Sequence, residues 1–92
     1  MEVEFWGVRG TAPASGRDYL KYGGHTPCAS AISSAGEIAI IDAGTGIKKL
    51  GEKLMAGTAG AEIHLHLLFT HFHLDHTIGL PFFSPLYSSK IT

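Results

Sequence analysis

From Ile63 to Phe69 an apolar residue recurs at every second position, and the chain then runs straight into Thr70-His71-Phe72-His73-Leu74-Asp75-His76. Ile63, Leu65, Leu67 and Phe69 share one face; His64, His66 and Leu68 share the other. A period of two is that of a strand. Three imidazoles and one carboxylate then fall within six residues. Whatever the chain folds into must carry a strand that ends in a turn dense with metal-type donors.

The remaining elements follow from the same kind of patterning. Residues 2–8 alternate loosely, with Val3 and Phe5 on one face, and read as a strand. Residues 9–27 are rich in Gly, Pro, Ser and Thr and lack a sustained period, which predicts a long loop of the kind that is usually functional when ordered. Residues 28–35 and 37–41 read as two strands joined in a hairpin at Gly36. A helix is expected over residues 46–56, because Ile47, Leu50 and Leu54 fall on one face while Lys48, Lys49, Glu52 and Lys53 fall elsewhere. Gly57 is placed to stop it in a left-handed conformation. Three strands, a helix, a strand and a polar turn leading into residues 77–83 predict an α/β layer structure.

Composition narrows the function classes. A chain of 92 residues allows one small domain, and 45% hydrophobic against 16% charged residues describes a folding chain. The net charge of −1 and the seven scattered basic residues provide no stripe for nucleic acid and no footprint for an anionic membrane. No apolar run approaches the roughly 20 residues of a membrane span. Cys28 is the lone cysteine, so no internal disulfide framework exists. With no visible secretory signal, a cytoplasmic location is expected.

The donor turn carries the chemistry. Imidazole and carboxylate together suit zinc, manganese or iron. In an extended turn His71 and His73 point the same way and can reach one ion. Asp75 and His76 follow the bend and can face a second, with the two ions roughly 3.5–4 Å apart. The competing reading of the turn is a solvated His-rich loop. His64 and His66 read as exposed or hydrogen-bonded strand histidines, and His25 as a loop residue able to line the site.

The run His71-x-His73-x-Asp75-His76 resembles the metal-binding signature of metallo-β-lactamase-fold hydrolases. The segments Phe5-Trp6-Gly7-Val8-Arg9-Gly10-Thr11, Tyr22-Gly23-Gly24, Ile41-Asp42-Ala43-Gly44-Thr45-Gly46 and Gly79-Leu80-Pro81-Phe82-Phe83 are similar to the branch with phosphodiesterase-like and transfer-RNA-processing members. The resemblance implies the N-terminal part of a four-layer αββα sandwich, with residues 1–92 forming one portion of a single domain. It implies His71 and His73 on the first of two divalent ions, and Asp75 and His76 on the second. Zinc is the first choice of metal, with manganese or iron as alternatives. Asp75 is the expected catalytic residue. Asp42 is expected to hold an imidazole N–H or the loop backbone, which orients the ligands. A metal-bridged hydroxide would attack phosphorus or a carbonyl carbon. Histidine at 73, where oxygen-reducing di-iron relatives carry glutamate, favours hydrolysis. Two positions depart from the pattern: His25 stands where asparagine is expected, and Pro27 where serine is expected.

The turn supplies at most two protein ligands per ion, whereas a catalytic zinc usually has three. After His76 there is no further His, Asp, Glu or Cys, and residues 88–92 read as a turn entering another strand. Two expectations result. In one, the chain is a portion of a metal-dependent hydrolase, inactive alone, whose parent cleaves phosphodiesters or another hydrolysable small molecule. In the other, it is a stand-alone small metal-binding protein, non-catalytic or completed by another chain in an oligomer.

Overall fold

The computed structural model describes residues 1–10, 12–57 and 64–87. The chain is mixed α/β. Strands β1 (Glu2–Gly7), β2 (Cys28–Ile32) and β3 (Ile38–Ile41) precede helix α1 (Ile47–Gly57), and strand β4 (Leu65–Leu68) follows it. The four strands form one sheet in the order β1-β2-β3-β4. The first two pairings are antiparallel, and β3 runs parallel to β4 with α1 as the crossover between them. Short 3-10 turns at Arg17–Tyr19, Leu74–His76, Leu80–Phe82 and Ser84–Tyr87 complete the described elements.

Local chemistry accounts for the boundaries. Gly36 has φ +85°, and the Ser33 amide donates to the Glu37 carbonyl at 3.0 Å, so the β2–β3 hairpin turns where expected. It takes five residues for its loop, because Ile32 pairs with Ile38, and β2 is therefore shorter than the 28–35 run expected. Gly57 corrects another expectation. It is the last helical residue and is not among the positive-φ glycines, so α1 does not stop there in a left-handed cap. The expected start of β4 at Ile63 and the expected strand entry at 88–92 lie outside the described residues.

One face of the sheet is covered and the other is open. Ile47, Leu50 and Leu54 of α1 are buried with Cys28, Ile38, Ile40, Ala43 and Phe83, and Trp6, Ile32, Leu65 and Leu67 pack around them. Gly51 of α1 faces the 83–85 segment closely: a Cβ there would lie 2.9 Å from Pro85 Cδ and 3.0 Å from Phe83 Cδ1. Trp6 is held on this face by a 2.9 Å hydrogen bond from its indole N–H to Ser30 Oγ. The opposite face carries two rows that cross all four strands in register. Val3, Ala31, Ala39 and His66 form one; Phe5, Ala29, Ile41 and Leu68 form the other. Phe5 is 75% exposed and Leu68 55%. The alternation Val3/Phe5 was visible in the sequence, but it marks the open face, not the core. Among the described residues no helix is long and apolar enough to cross a membrane.

Candidate metal centre

Because β3 and β4 are parallel, the loops after both strands leave the same edge of the sheet. Asp42 begins the first loop, and residues 69–79 form the second. Backbone bonds stitch them together: the Asp42 amide donates to the Leu68 carbonyl, Ala43 to His76 and Gly79 to Ala43, each at 2.8 Å. A third loop joins through the Gly44 amide, which donates to the Pro27 carbonyl at 2.8 Å. Gly44 is required here. A Cβ would meet Thr26 Oγ1 at 2.5 Å and the Asp75 carbonyl oxygen at 2.6 Å, so no side chain fits between these loops.

Asp42 organises the cluster. It is 4% exposed and has φ +63°, a left-handed conformation that Asp tolerates better than most residues. Its Oδ1 accepts from the Thr70 amide at 2.8 Å; its Oδ2 accepts from Thr70 Oγ1 at 2.8 Å and from His76 Nδ1 at 2.9 Å. Burial alone would raise the carboxyl pKa, but the bonds from Thr70 and His76 outweigh it and hold Asp42 below its ordinary value.

Proton accounting then fixes two imidazoles. A carboxylate only accepts, so His76 donates from Nδ1, and its neutral ring then carries the lone pair on Nε2. The single hydroxyl proton of Thr70 goes to Asp42, so Thr70 Oγ1 must accept from His71 Nδ1 at 3.0 Å. In its neutral form His71 therefore also carries its lone pair on Nε2. One buried carboxylate sets both tautomers, His76 directly and His71 through a threonine.

The side chains that could hold an ion are brought together. Ligand atoms of His71, Asp75 and His76 all lie within 4.8 Å of one another. The His71 and His76 rings are 4.0 Å apart between centroids. His76 Nε2 faces Asp75 Oδ2 at 3.5 Å. Two ligand atoms bound at 2.0–2.2 Å to one tetrahedral ion stand about 3.4 Å apart, so the donor set fits a divalent cation. His73 lies beside His71, edge-on with centroids 4.5 Å apart, but does not join that group. The grouping thus crosses the expected pairs, since the 3-10 turn Leu74–His76 swings Asp75 and His76 back toward His71.

The other candidates stand apart. His64 and His66 are exposed at β4, as their alternation implied. His25 sits in the third loop, with Nδ1 3.3 Å from Thr45 Oγ1. Cys28 is 2% exposed, and its thiol is pushed up to about 12, first by burial and then by the Asp42 charge. A thiol raised in this way is protonated near neutral pH, which makes it a poor nucleophile. Thr70, which links Asp42 to His71, and Thr45, beside His25, are contacts of these side chains that sequence reasoning missed; a single hydroxyl beside a motif carries no signal until its partners are known. Comparison with protein-family models, curated proteins and solved structures returned no match.

Proposed function

We propose that this chain carries the metal-binding edge of a hydrolase of the metallo-β-lactamase type, with a phosphodiester as the substrate class. The observation that carries the reading is the Asp42 carboxylate, which holds the Nδ1 of His76 directly and that of His71 through Thr70, and so leaves Nε2 of each neutral ring as the ligating atom in a cluster with Asp75. A solvated His-rich loop has no reason to spend a buried carboxylate on fixing tautomers. The open sheet face supports the sandwich fold in particular. A sheet covered by helix on one side and apolar on the other is what a two-sheet sandwich needs, with the second sheet packing on Val3, Phe5, Ile41 and Leu68.

When bound, divalent ions supply Lewis acidity, lowering the pKa of water and offsetting charge at a phosphoryl or carbonyl centre. The residues of this chain do the positioning. His71, Asp75 and His76 would hold one ion, His73 would reach outward from the same turn, and Asp42 with Thr70 would keep the imidazoles in their ligating form. Three protein ligands suffice for one ion, so the chain alone also fits the second reading, a small metal-binding protein. A second ion calls for ligands beyond those that converge here.

The test is zinc retention by metal-stripped and reloaded chain. About one ion per chain is expected from three converging ligands. His71→Ala and His76→Ala should abolish retention, whereas His64→Ala should keep it. Equal retention by all three variants would overturn the assignment. The hydrolytic reading is tested separately on zinc-loaded protein that includes the second sheet, with phosphodiester, cyclic-nucleotide, thioester and β-lactam substrates. Preference for a thioester or a β-lactam would reject the substrate class while leaving the metal site standing.

A further inference from the structure

The open face of the sheet has relief as well as apolar character. In the row Phe5, Ala29, Ile41 and Leu68, Ala29 pairs with Phe5 on one side and with Ile41 on the other. A hollow of about 280 Å³ opens there, with Phe5, Val8, Pro27 and Ile41 among its walls. In the other row Ala31 and Ala39 stand side by side between Val3 and His66, so the middle of that row is low. Large side chains and a hollow thus share one surface.

Charge narrows what can cover it. None of the eight residues in the two rows is Asp, Glu, Lys or Arg. A charged partner finds no complement in them, whereas a second copy meets no like charge there. The net charge of −1 adds little repulsion at a distance. The exposed parts of Val3, Phe5, Val8, Ile41 and Leu68 amount to on the order of 500 Å² per copy, or about 1,000 Å² for a pair, the lower limit for a specific interface.

A two-fold axis decides the fit, because it puts residue i on residue j of the partner and j on i. With the axis parallel to the strands and midway between β2 and β3, Ile41 of each copy sits over the partner's Ala29 and fills the hollow. Phe5 then meets the partner's Leu68, Ala31 meets the partner's Ala39, and Val3 meets the partner's His66. An axis across the strands does worse. It sets Phe5 on the partner's Val3 and Leu68 on the partner's His66, and leaves the hollow facing the partner's Ala31. The first arrangement also keeps the strands of the two sheets aligned, as in face-to-face sandwiches, and brings both donor turns to the same end of the pair.

We propose that the 92-residue chain forms a two-fold dimer through this face, with Ile41 of each copy seated over Ala29 of the other. No candidate metal ligand takes part, so zinc retention and dimerisation test different claims. The second copy takes the place that a second sheet holds in the sandwich reading; in a longer chain carrying that sheet, the face would be filled from within.

The test is sedimentation of the chain from about 5 to about 500 μM, at pH 8 with chelator, where imidazoles are neutral and no ion bridges two copies. A monomer–dimer equilibrium is expected, with a Kd above about 1 μM because the interface is small. Phe5→Lys and Leu68→Glu, both at exposed positions, should each weaken association about tenfold or more. An equal mixture of the two variants should associate more strongly than either alone, because one opposite-charge contact and one native contact form. Isotope-filtered spectra of a labelled and unlabelled wild-type mixture should show the Phe5 ring beside the Leu68 methyls. Within one copy these lie on the two outer strands, about 14 Å apart, so such a contact arises only between copies. The proposal is overturned by a chain that stays monomeric at the highest concentration, by growth beyond a dimer, or by a missing Phe5–Leu68 contact. A variant mixture no better than its components overturns it too. The metal reading survives each of these outcomes.

Discussion

Asp42 holds a left-handed backbone conformation that costs an ordinary residue about 1 kcal/mol or more, and it recovers this through three donors on one carboxylate. Asp42→Asn is the informative change at this scale. The amide has nearly the same shape, but one acceptor oxygen becomes an NH2 group. If that NH2 takes the Oδ2 position, it faces two donors, Thr70 Oγ1 and His76 Nδ1. His76 is then expected to switch to its Nε2–H tautomer, withdrawing the lone pair beside Asp75. The loss of hydrogen bonds to a buried charge should cost about 2 kcal/mol of stability in denaturant titration. Ring-nitrogen spectra should show the tautomer change, and zinc retention should fall with it. A variant that loses stability but keeps the His76 tautomer would mean that Asp42 only braces the loops.

At the level of elements, the contact between α1 and residues 83–85 sets the covered layer. Glycine inside a helix is unfavourable by about 1 kcal/mol relative to alanine, so Gly51→Ala should stabilise an isolated helix. Here the new methyl would press on a proline ring and on Phe83, which is 2% exposed, and neither can move aside cheaply. Overpacking of this kind costs about 1–3 kcal/mol, so a net loss of about 1 kcal/mol is expected from thermal or denaturant unfolding. A gain in stability would show that the 83–85 segment is loosely held. This element also marks what could be read in advance. The period of Ile47, Leu50 and Leu54 announced the helix and its buried stripe, and the alternation at β4 announced its two faces. Gly51 did not announce itself, because its reason lies in residues more than thirty positions away that no local pattern links to it. The donors of residues 71–76 were legible as a cluster for the converse reason, being adjacent in sequence. How they divide was not, since that depends on a 3-10 turn and on Asp42 across the sheet.

For the whole molecule the open sheet face is the dominant fact. Val3, Phe5, Ile41 and Leu68 are 54%, 75%, 38% and 55% exposed on one four-stranded surface. In this chain Phe5→Ser removes little buried area and should change stability by less than about 1 kcal/mol. It should also raise solubility, measured as the concentration at which sedimentation shows association. In a protein whose second sheet covers this face, the same substitution should cost about 2 kcal/mol or more, because Phe5 is then buried. Equal small effects in both settings would reject the sandwich. The parallel pairing of β3 with β4 has a consequence of a different kind. Asp42 meets Thr70 and His76 across 28 and 34 residues of chain, and only after α1 has carried the polypeptide back to the sheet. The hairpin and helix can form from local contacts, whereas this closure must first overcome chain entropy. Until it does, the imidazoles of the turn exist but have no fixed tautomer. On the proposed metal reading, affinity for an ion would therefore be a late-acquired property, and a chain collapsed around its hairpin alone would be chemically mute.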